Sequence, residues 1–388
     1  MLLEGIEFRL PASETLIELG FRKILNAAGH YTVMGGSCPS KEVLQCMNDA
    51  SQYWIDLKEL EISVRTPLKR YIGCEDGIVT SGAYTSNIIA TAASLAIARS
   101  KNSSPLTEPN VVIQKSHVTK YAQSFTTSGV RLKEIQRKND GKNDTLTDYI
   151  DKSTIALTYV LNESEHEFNL QETVEAGKKS GLPVIVDAAI VDPPIRGLKE
   201  ILRYNPDFVT VSGGKGFNGP SASGLLVGKR DLIAQARELA FPNYGPGRSM
   251  KVGREQIAGL IEAVRLASEA NEDLKIEQWK ENMQKIERLV RDLSGIRTEV
   301  IFPWRLNFPQ PVPRLYITIE RPDGVDIAKK IRDTLMTQSN PPIFTRPLDQ
   351  IEGGKNKIVL EGRVLAKKEI KEVAEQLRFV IQKYLLEK

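Results

Sequence analysis

Short apolar runs recur between Gly77 and Val227 and are separated by stretches long enough for helices. Several of these runs are continuously apolar rather than alternating, as expected for strands that are buried on both faces of a mostly parallel sheet. Strands that alternate with helices predict an α/β layered domain. The predicted strands are Gly77–Thr80, Val111–Gln114, Val130–Ile135, Ile155–Val160, Val184–Asp187, Phe208–Val211 and Leu225–Val227.

The pattern changes after about Arg254. Apolar residues then recur at helical spacing as far as Val290, which predicts one connector helix or a broken pair of helices. Short runs typical of strands return beyond this stretch, together with two helical stretches, which predicts a smaller α+β domain. Its predicted strands are Thr298–Phe302, Leu315–Ile319, Ile343–Arg346 and Ile358–Glu361, and its predicted helices are Val325–Leu335 and Lys367–Leu386.

These changes divide the chain into four predicted parts. We expect an N-terminal arm at 1–30, a large α/β domain at 31–253, a connector at 254–294 and a small C-terminal α+β domain at 295–388. The Pro-rich run Phe302–Pro313 is predicted to be a loop that joins two strands of the small domain.

The composition is that of a soluble globular protein, since 41% of the 388 residues are hydrophobic and 26% are charged. The net charge of +4, from 53 basic and 49 acidic side chains, is too small and too dispersed to predict a nucleic-acid partner. The three cysteines form no CxxC pair, so we predict reduced thiols and no metal site. With acidic residues inside the short apolar N-terminus and no run of about 18 apolar residues, we predict neither a signal peptide nor a membrane span, and a cytoplasmic location.

The segment from Ser212 to Pro220, SGGKGFNGP, carries the clearest chemical signal. It directly follows an apolar strand, and its glycines let other groups approach the stem of Lys215 closely. A lysine at a strand end in a desolvated pocket can lose its proton, and the neutral amine can then condense with an aldehyde. The alternative interpretation of this segment alone is a surface turn with a solvated lysine.

Asp187 favours the interpretation in which Lys215 condenses with an aldehyde over that of a solvated surface lysine. It closes the apolar strand Pro183–Val186, and the positions between it and Lys215 suffice for one helix and one strand, so both residues are expected at the ends of neighbouring strands. Pyridoxal phosphate (PLP) needs a carboxylate against its pyridine nitrogen, because the protonated ring accepts the electrons released when a bond to Cα breaks. We therefore predict that Lys215 holds PLP as a Schiff base and that Asp187 faces the ring nitrogen. Taken alone, Asp187 would more often be a strand-terminal cap.

A phosphate site is predicted where the strand ending at Thr80 meets the apolar helix Ile88–Ala98. Backbone N–H groups at a helix start, with serine and threonine hydroxyls nearby, suit a phosphate dianion. We predict that Ser81, Gly82 and Ala83 form the phosphate cup and that Ser212 completes it. By itself this segment would be an ordinary capped helix.

His117 stands just past the strand Val111–Gln114, where a flat side chain could stack on the cofactor ring. We therefore predict it as a catalytic and cofactor-binding residue. A structural role is the alternative, as for the other two histidines, His30 and His166.

Substrate carboxylates or phosphates are best bound by arginine, which presents a fork of donors. Arg248 and Lys251 lie in a glycine-rich loop before the long helical stretch, and Arg346 and Arg363 stand at the ends of two predicted strands of the small domain. These four residues are the predicted substrate-binding set. For each of them a solvated surface charge is the alternative.

Taken together, these motifs resemble the selenocysteine-synthase-like branch of the fold type I PLP enzymes, close to the D-glucosaminate-6-phosphate ammonia lyases. The resemblance runs from about Leu25 to the C-terminus. Its motifs are Ile24–Gly29, Met34–Ser37, Val79–Ala83, Val184–Ala189, Ser212–Gly216 and Gly247–Gly253.

The resemblance implies a seven-stranded, mostly parallel large domain that binds PLP, a small C-terminal domain, and an obligate homo-oligomer with active sites between subunits. It also implies the roles assigned above to Lys215, Asp187 and the turn from Ser81 to Ala83. The chain departs from the ammonia-lyase pattern at Tyr84–Asn87, at Val118–Tyr121 and around Asn218 and Ser221. These departures surround the expected cofactor, so the resemblance does not carry over the phosphosugar-acid substrate.

The leading functional hypothesis is an α,β-elimination of the ammonia-lyase type on an amino acid or 2-amino sugar acid with a β-leaving group, with Lys215 as both anchor and base. Selenium or sulfur transfer to a seryl-tRNA is the runner-up. Relatives with that activity carry a tRNA-binding region before the Asn-Ala-Gly motif, whereas here Asn26 follows only 25 residues. An amino-acid racemase or aldolase on the same scaffold, or a non-catalytic binding subunit, are the remaining alternatives.

Overall fold

The computed structural model describes residues 14–101, 104–137, 144–162, 166–302, 311–320, 326–347 and 355–386. They form two compact units. The larger takes in residues 30–272, and the smaller combines residues 14–29 with the described residues from 273 to 302 and from 312 to 386.

Helices and strands alternate through most of the larger unit, and the elements of both units are numbered together in chain order. The helices are α1 (Glu14–Glu18), α2 (Lys41–Ser51), α3 (Leu57–Ser63), α4 (Arg65–Ile72), α5 (Ala83–Lys101), α6 (Gln123–Thr126), α7 (Leu170–Ser180), α8 (Pro194–Arg203), α9 (Arg230–Leu239), α10 (Arg254–Glu269), α11 (Glu272–Val290), α12 (Ala328–Thr337) and α13 (Glu369–Leu386). The strands are β1 (Leu25–Asn26), β2 (Asp76–Thr80), β3 (Asn110–Gln114), β4 (Arg131–Ile135), β5 (Thr154–Val160), β6 (Val184–Asp187), β7 (Phe208–Ser212), β8 (Gly224–Gly228), β9 (Ile296–Ile301), β10 (Arg314–Ile319), β11 (Ile343–Phe344) and β12 (Lys357–Glu361).

A seven-stranded sheet organises the larger unit, with the strand order β2-β8-β7-β6-β5-β3-β4. β8 runs antiparallel to both of its neighbours, and the other neighbouring pairs are parallel. The mostly parallel seven-stranded sheet is therefore confirmed, as are its seven strands, each within one residue of its predicted ends. Because six of the strands point the same way, their carboxyl ends lie along one edge, where ligands bind in open α/β sheets.

Helices cover both faces of this sheet, which explains why most of its strands are continuously apolar. On one face, α5 and α9 contribute Ile89, Ala93 and Ile233 to a core shared with β3, β6 and β8. On the other face, α4, α7, α8 and α10 bury Leu68, Ala176, Leu198, Leu260 and other apolar residues against the sheet. Among the described residues, no helix combines the length and apolar character that crossing a membrane requires, and this includes the buried α5.

Glu61 on α3 lies beside β2, the outer strand of this sheet. Its side chain is 3% exposed and is hydrogen-bonded to the backbone of Val79, so it covers part of the open strand edge. Burial raises the pKa of the Glu61 carboxyl to about 8, although Arg237 and the Val79 backbone favour the ionised form. Folding therefore favours the protonated acid.

Because the folded-state pKa of Glu61 is raised, its contribution to stability is complete below pH 4.5 and is lost as the pH rises to about 8. Glu61→Gln, which mimics the protonated acid, should match the wild type near pH 5 and exceed its free energy of unfolding at pH 9 by on the order of a few kcal/mol. Urea unfolding at both pH values measures this difference. Glu59→Gln, exposed on the same helix, is the control. Parallel pH curves for the wild type and Glu61→Gln would contradict the prediction.

The smaller unit is built around a three-stranded antiparallel sheet in the order β12-β10-β9. Its core combines this sheet with α11, α12 and α13, which contribute Ile286, Ile331 and Leu377 among others. α12 begins at Ala328, because the Asp326 carboxylate accepts a hydrogen bond from the Ala328 N–H and caps the helix there. The predicted Pro-rich loop lies mostly outside the described residues.

The structure divides the chain differently from the predicted four parts. The stretch predicted as a connector consists of two helices, and the boundary between the units falls at residues 272 and 273, near the start of the second. α10 buries Ile257 and Leu260 in the core of the larger unit, whereas α11 buries Met283 in that of the smaller one. Residues 14–29 are not a separate arm, because β1 pairs in parallel with β11 inside the smaller unit.

Candidate active site

Asp187 and Lys215 come together at the carboxyl edge of the seven-stranded sheet. Asp187 is the last residue of β6 and lies opposite Thr210 of the neighbouring strand β7. Lys215 follows three residues after the end of β7, and its charge acts on Asp187. The neighbouring strand ends predicted from the spacing are therefore present.

A tight turn holds Lys215 in a half-buried position. The Asn218 N–H donates to the Lys215 carbonyl at 2.8 Å, and the Gly219 N–H donates to the Gly213 carbonyl at 2.9 Å. Gly216 allows this turn to pack on the segment after β6, since a Cβ there would lie 2.6 Å from the Val191 carbonyl oxygen. A side chain at Gly216 would displace the lysine.

The segment from His30 to Ser37 supports the same turn. The Ser37 hydroxyl donates to the Gly219 carbonyl at 2.6 Å, and His30 Nε2 lies 3.2 Å from Asn218 Oδ1. The segment that contains the motif Met34–Ser37 therefore contacts the lysine turn and stabilises it within the larger unit.

The Asp187 carboxylate is only 7% exposed and receives two hydrogen bonds. The Ala189 N–H donates to Oδ1 at 3.0 Å, and the Asn87 amide donates to Oδ2 at 2.7 Å. Burial raises the pKa of Asp187, while these two donors and the charge of Lys215 favour the ionised form. A group that brings a further positive charge or N–H donor to this carboxylate would be bound strongly.

Asn87 is a site residue that sequence reasoning missed. It is 1% exposed and lies on α5, one turn after the predicted phosphate cup. A polar residue on a helix that is otherwise mostly small and apolar is a signal of an internal partner. That signal does not reveal which partner, because Asp187 is distant in sequence.

The predicted phosphate cup lies at the first turn of α5. The Ser86 N–H donates to the Gly82 carbonyl, so Gly82 occupies the cap position and the N–H groups that follow it have no carbonyl partner in their own helix. The Thr80 hydroxyl holds the turn by donating to the Gly82 carbonyl at 3.0 Å. These are the features of an anion site.

Strand register places Ser212 at the same edge as this cup. Gly224 at the start of β8 lies between Thr80 of β2 and Ser212 of β7 in the sheet. The sheet spacing puts the backbones of Thr80 and Ser212 roughly 10 Å apart. A Cβ at Gly224 would lie 2.5 Å from the Gly82 carbonyl carbon, so the glycine allows the cup to pack directly on the sheet.

His117 lies past β3 as predicted, but its ring is 0% exposed. Its Nε2 lies 2.6 Å from His166 Nδ1, and its Nδ1 accepts a hydrogen bond from the Val160 N–H at 3.2 Å. Burial and the charge of His166 lower the pKa of His117 to about 3, so the ring is neutral. Stacking on a cofactor would require this ring to leave its place.

Tyr121 is the aromatic residue that the structure sets beside the lysine. Lys215 Nζ lies 5.9 Å from the centroid of the Tyr121 ring, and Tyr121 is 60% exposed. Sequence reasoning gave it no role, although it belongs to the stretch Val118–Tyr121 that departs from the ammonia-lyase pattern.

The predicted substrate residues Arg248 and Lys251 lie in the loop before α10. The Arg248 guanidinium lies over the rings of Phe241 and Tyr244, at 5.3 and 5.4 Å from their centroids, and Lys251 is exposed. Gly247 packs against Ile89 of α5, which brings this loop beside the helix that begins at the cup.

Arg346 and Arg363 lie in the smaller unit and converge on one buried carboxylate. Glu361 is 0% exposed and forms ion pairs with both of them and with Arg314. Burial alone would raise the pKa of Glu361, but the three guanidinium charges outweigh it and lower the pKa to about 2. The cluster fixes both arginines, and their role towards a substrate stays a prediction.

Comparisons with known proteins bear on this arrangement. The model of the aminotransferase class-V family matches residues 64–251, which span the cup, Asp187 and Lys215. The chain is 30% identical over 262 residues to the D-glucosaminate-6-phosphate ammonia lyase of Salmonella typhimurium, covering 64% of this chain and 68% of the relative. It is also 30% identical over 292 residues to a 5'-C-glycyluridine monooxygenase-decarboxylase of Streptomyces sp, covering 72% of this chain and 71% of the relative.

A solved structure of a D-glucosaminate-6-phosphate ammonia-lyase shares the fold. It superposes with a TM-score of 0.74, covers 96% of this chain and 99% of its own, and is 23% identical in sequence. The resemblance drawn from the motifs is thereby confirmed at the level of family and fold.

Proposed function

The chain belongs to the aminotransferase class-V family, and from this membership we propose that it is a PLP-dependent lyase of the ammonia-lyase type. Enzymes of this family are PLP-dependent. The observation that carries the proposal is the meeting of Asp187, Lys215 and the start of α5 at one edge of the sheet. An amine, a carboxylate and an anion site are the three groups that this cofactor needs.

The described residues fit PLP in their chemistry. The start of α5 offers N–H donors for a phosphate, in a turn whose backbone the Cβ of any larger residue at position 224 would displace. Asp187 is a buried carboxylate with its oxygens already oriented by two donors. Ser81, Gly82, Ala83 and Ser212 would hold the phosphate, Asp187 the ring nitrogen and Lys215 the aldehyde carbon.

When bound, PLP supplies an aldehyde that joins to amines and a protonated ring that accepts the electron pair released at a substrate Cα. Lys215 then has two tasks. Its Nζ holds the cofactor until a substrate amine replaces it, and the released amine removes the proton from Cα. That proton can leave with the departing β-substituent, and water then converts the product to a keto acid and ammonia.

The proposed substrate is an amino acid or 2-amino sugar acid with a leaving group at Cβ. Arg248 and Lys251 of the larger unit are the proposed donors to its carboxylate or phosphate, because a guanidinium matches the geometry of both anions and an ammonium adds a positive charge. No nucleic-acid partner is proposed for this chain.

Gly224→Ala should weaken PLP binding by about 10- to 100-fold, because overpacking would push the cup out of position. Its Cβ would lie 2.5 Å from the Gly82 carbonyl carbon and 2.8 Å from the Ala83 nitrogen. Equilibrium dialysis with PLP and with pyridoxal, which lacks the phosphate, measures the effect. Only the affinity for PLP should fall.

Gly228→Ala is the matched control at the opposite end of β8, where a Cβ would lie 2.1 Å from the Asp207 carbonyl oxygen. It should lower stability without changing the ratio of the PLP and pyridoxal affinities. If Gly224→Ala leaves that ratio unchanged as well, the phosphate does not bind at the start of α5.

The function is tested by incubating the PLP-loaded protein with a panel of β-hydroxy amino acids and 2-amino sugar acids. We expect keto acid and ammonia to appear in equal amounts with at least one substrate. Bound PLP without any keto acid across the panel would contradict the lyase assignment.

Oxidative decarboxylation is a second candidate, favoured by the 30% identity to the Streptomyces relative over a longer stretch than to the ammonia lyase. Reactions run with and without oxygen separate the two, because elimination needs no oxidant. Product formation that requires oxygen and releases carbon dioxide would favour the second candidate.

We also propose that the chain acts as a homodimer or a larger homo-oligomer. Tyr53, Trp54 and Tyr244 in the larger unit are 68%, 96% and 93% exposed, and exposed aromatic residues are typical of protein contacts. Sedimentation of the PLP-loaded protein tests this. Location in the cytoplasm stays a prediction from the sequence.

A further inference from the structure

Asn87 is the centre of a buried group of polar side chains. Its own exposure is 1%, and its three side-chain partners are at most 7% exposed. The Asn87 amide nitrogen donates to Asp187 Oδ2 at 2.7 Å and to the Ser124 hydroxyl at 3.1 Å, and its oxygen accepts from the Thr210 hydroxyl at 2.7 Å. One amide therefore makes three hydrogen bonds away from water.

The partners of Asn87 fix the orientation of its amide. The Ser124 hydroxyl donates its hydrogen to the Tyr121 carbonyl at 2.8 Å, so only its lone pairs face Asn87. Thr210 donates from the other side. An ionised carboxylate only accepts hydrogen bonds, so the Asn87 nitrogen must point towards Asp187. A flipped amide would set its oxygen against Asp187 Oδ2 and lose that bond.

This orientation matters because Asp187 is buried. Burial disfavours the carboxylate, and the donors on its two oxygens counteract that effect. The Ala189 N–H comes from the backbone two residues later and remains with any side chain at position 87. The donor on Oδ2 is supplied by Asn87.

We propose that Asn87 is a positioning residue that keeps Asp187 ionised, so that the proton shared between Asp187 and the cofactor stays on the ring nitrogen. This inference rests on the proposed function. A carboxylate with one donor fewer binds a proton more readily, so the shared proton would move from the ring towards Asp187. The ring would then accept electrons less well, and proton removal from Cα would slow.

Thr210 would act on Asp187 through the same chain of hydrogen bonds, by way of Asn87. It lies on β7 directly opposite Asp187, and its hydroxyl donates to the Asn87 amide oxygen and so helps to hold the amide in place. Loss of this hydroxyl should therefore affect the ring in the same direction as loss of Asn87, but less.

The experiment uses PLP labelled with ¹⁵N in the ring, bound to the full chain, and records the ring nitrogen by NMR. In the wild type we expect the shift of a protonated ring. In Asn87→Leu, which keeps the branched shape and the number of heavy atoms but has no donor, we expect a shift towards the unprotonated ring and PLP affinity lowered by about 10- to 100-fold, as for loss of a hydrogen bond to a charged group. A fall in kcat with little change in KM should accompany it.

Thr91→Val is the matched control on α5. Its hydroxyl is fully buried but donates only to the Asn87 backbone carbonyl, so the ring signal should not move. A shift in Thr91→Val as large as in Asn87→Leu would show a general packing effect and overturn the inference. If Asn87→Leu does not fold, the ring-nitrogen shifts of Thr210→Val and Thr210→Ser are compared instead. A shift in the valine variant that the serine variant restores supports the inference, and no difference between them overturns it.

The outcomes also separate this inference from the proposed function. A wild-type chain that binds no PLP would contradict the proposed function and the inference with it. A wild type with a protonated ring, together with an Asn87→Leu variant of unchanged shift and affinity, would overturn the role of Asn87 and leave the proposed function intact.

Discussion

Lys215→Ala is expected to lose covalent attachment of PLP and to lower the rate of keto acid formation by about 1,000-fold or more, because one amine serves as anchor and as general base. The turn around Lys215 is held by backbone hydrogen bonds that the substitution leaves in place. The variant should therefore fold and still bind PLP through its phosphate and ring. Borohydride reduction followed by peptide mass spectrometry should mark position 215 in the wild type alone.

Two further measurements sharpen this result. Adding a small primary amine should restore part of the activity of Lys215→Ala, because the missing proton acceptor is supplied from solution. Lys229→Ala is the matched control, since Lys229 pairs with Asp207 at 2.8 Å near the opposite edge of the sheet. It should lower stability slightly and keep full activity. A reduced cofactor attached to another lysine of the wild type would refute the assignment of Lys215.

Asp187→Asn should produce the second-largest loss, about 100-fold or more in kcat, because the ring nitrogen would no longer face a negative charge. PLP affinity should fall as well, since a charge-assisted hydrogen bond is replaced by a neutral one. The absorption spectrum of the bound cofactor and the rate of keto acid formation measure the two effects. The phosphate cup is unchanged in this variant, so residual binding of PLP is expected.

Asp207→Asn is the control for Asp187→Asn. The Asp207 carboxylate accepts a hydrogen bond from the Val184 N–H at 2.9 Å, so it touches the first residue of β6, whereas Asp187 is the last. Its replacement should lower the melting temperature and leave kcat unchanged. Equal losses of kcat in the two variants would mean that the carboxylate at 187 acts through the stability of the strand rather than through the cofactor.

Local patterns were sufficient to predict the elements of the sheet. Most of the apolar runs from Gly77 to Val227 are strands buried on both faces, and burial on both faces leaves a continuous apolar signature. The edge strand β4 is the exception, since it is largely exposed or half-buried. Helix starts in the smaller unit were predicted less well. α13 begins at Glu369, two residues after the predicted start, and in the turn before it the Glu369 carboxylate accepts a hydrogen bond from the Ala366 N–H.

The residues of the candidate site that lie in short, recognisable sequence motifs could be predicted. Lys215 is surrounded by glycines, and Asp187 ends an apolar strand, so both could be found without knowledge of the fold. Tyr121 could not, because its distance to Lys215 depends on how the segment after β3 turns back along the sheet edge. The buried ring of His117 was also beyond prediction, since a histidine after a strand has the same sequence signature whether it faces a cofactor or the core.

By itself the sequence determined the layered α/β fold, the seven strands of its main sheet and the lysine and aspartate at the ends of neighbouring strands, because these follow from burial patterns and residue types along single elements. Only the tertiary structure decided that Asn87 donates to Asp187, that Gly224 lies under the cup and that Glu361 holds three arginines. The strand order β2-β8-β7-β6 brings these residues of the larger unit together across long stretches of chain. The physical reason is that periodicity records whether a side chain is buried, whereas its partner is set by which elements pack side by side.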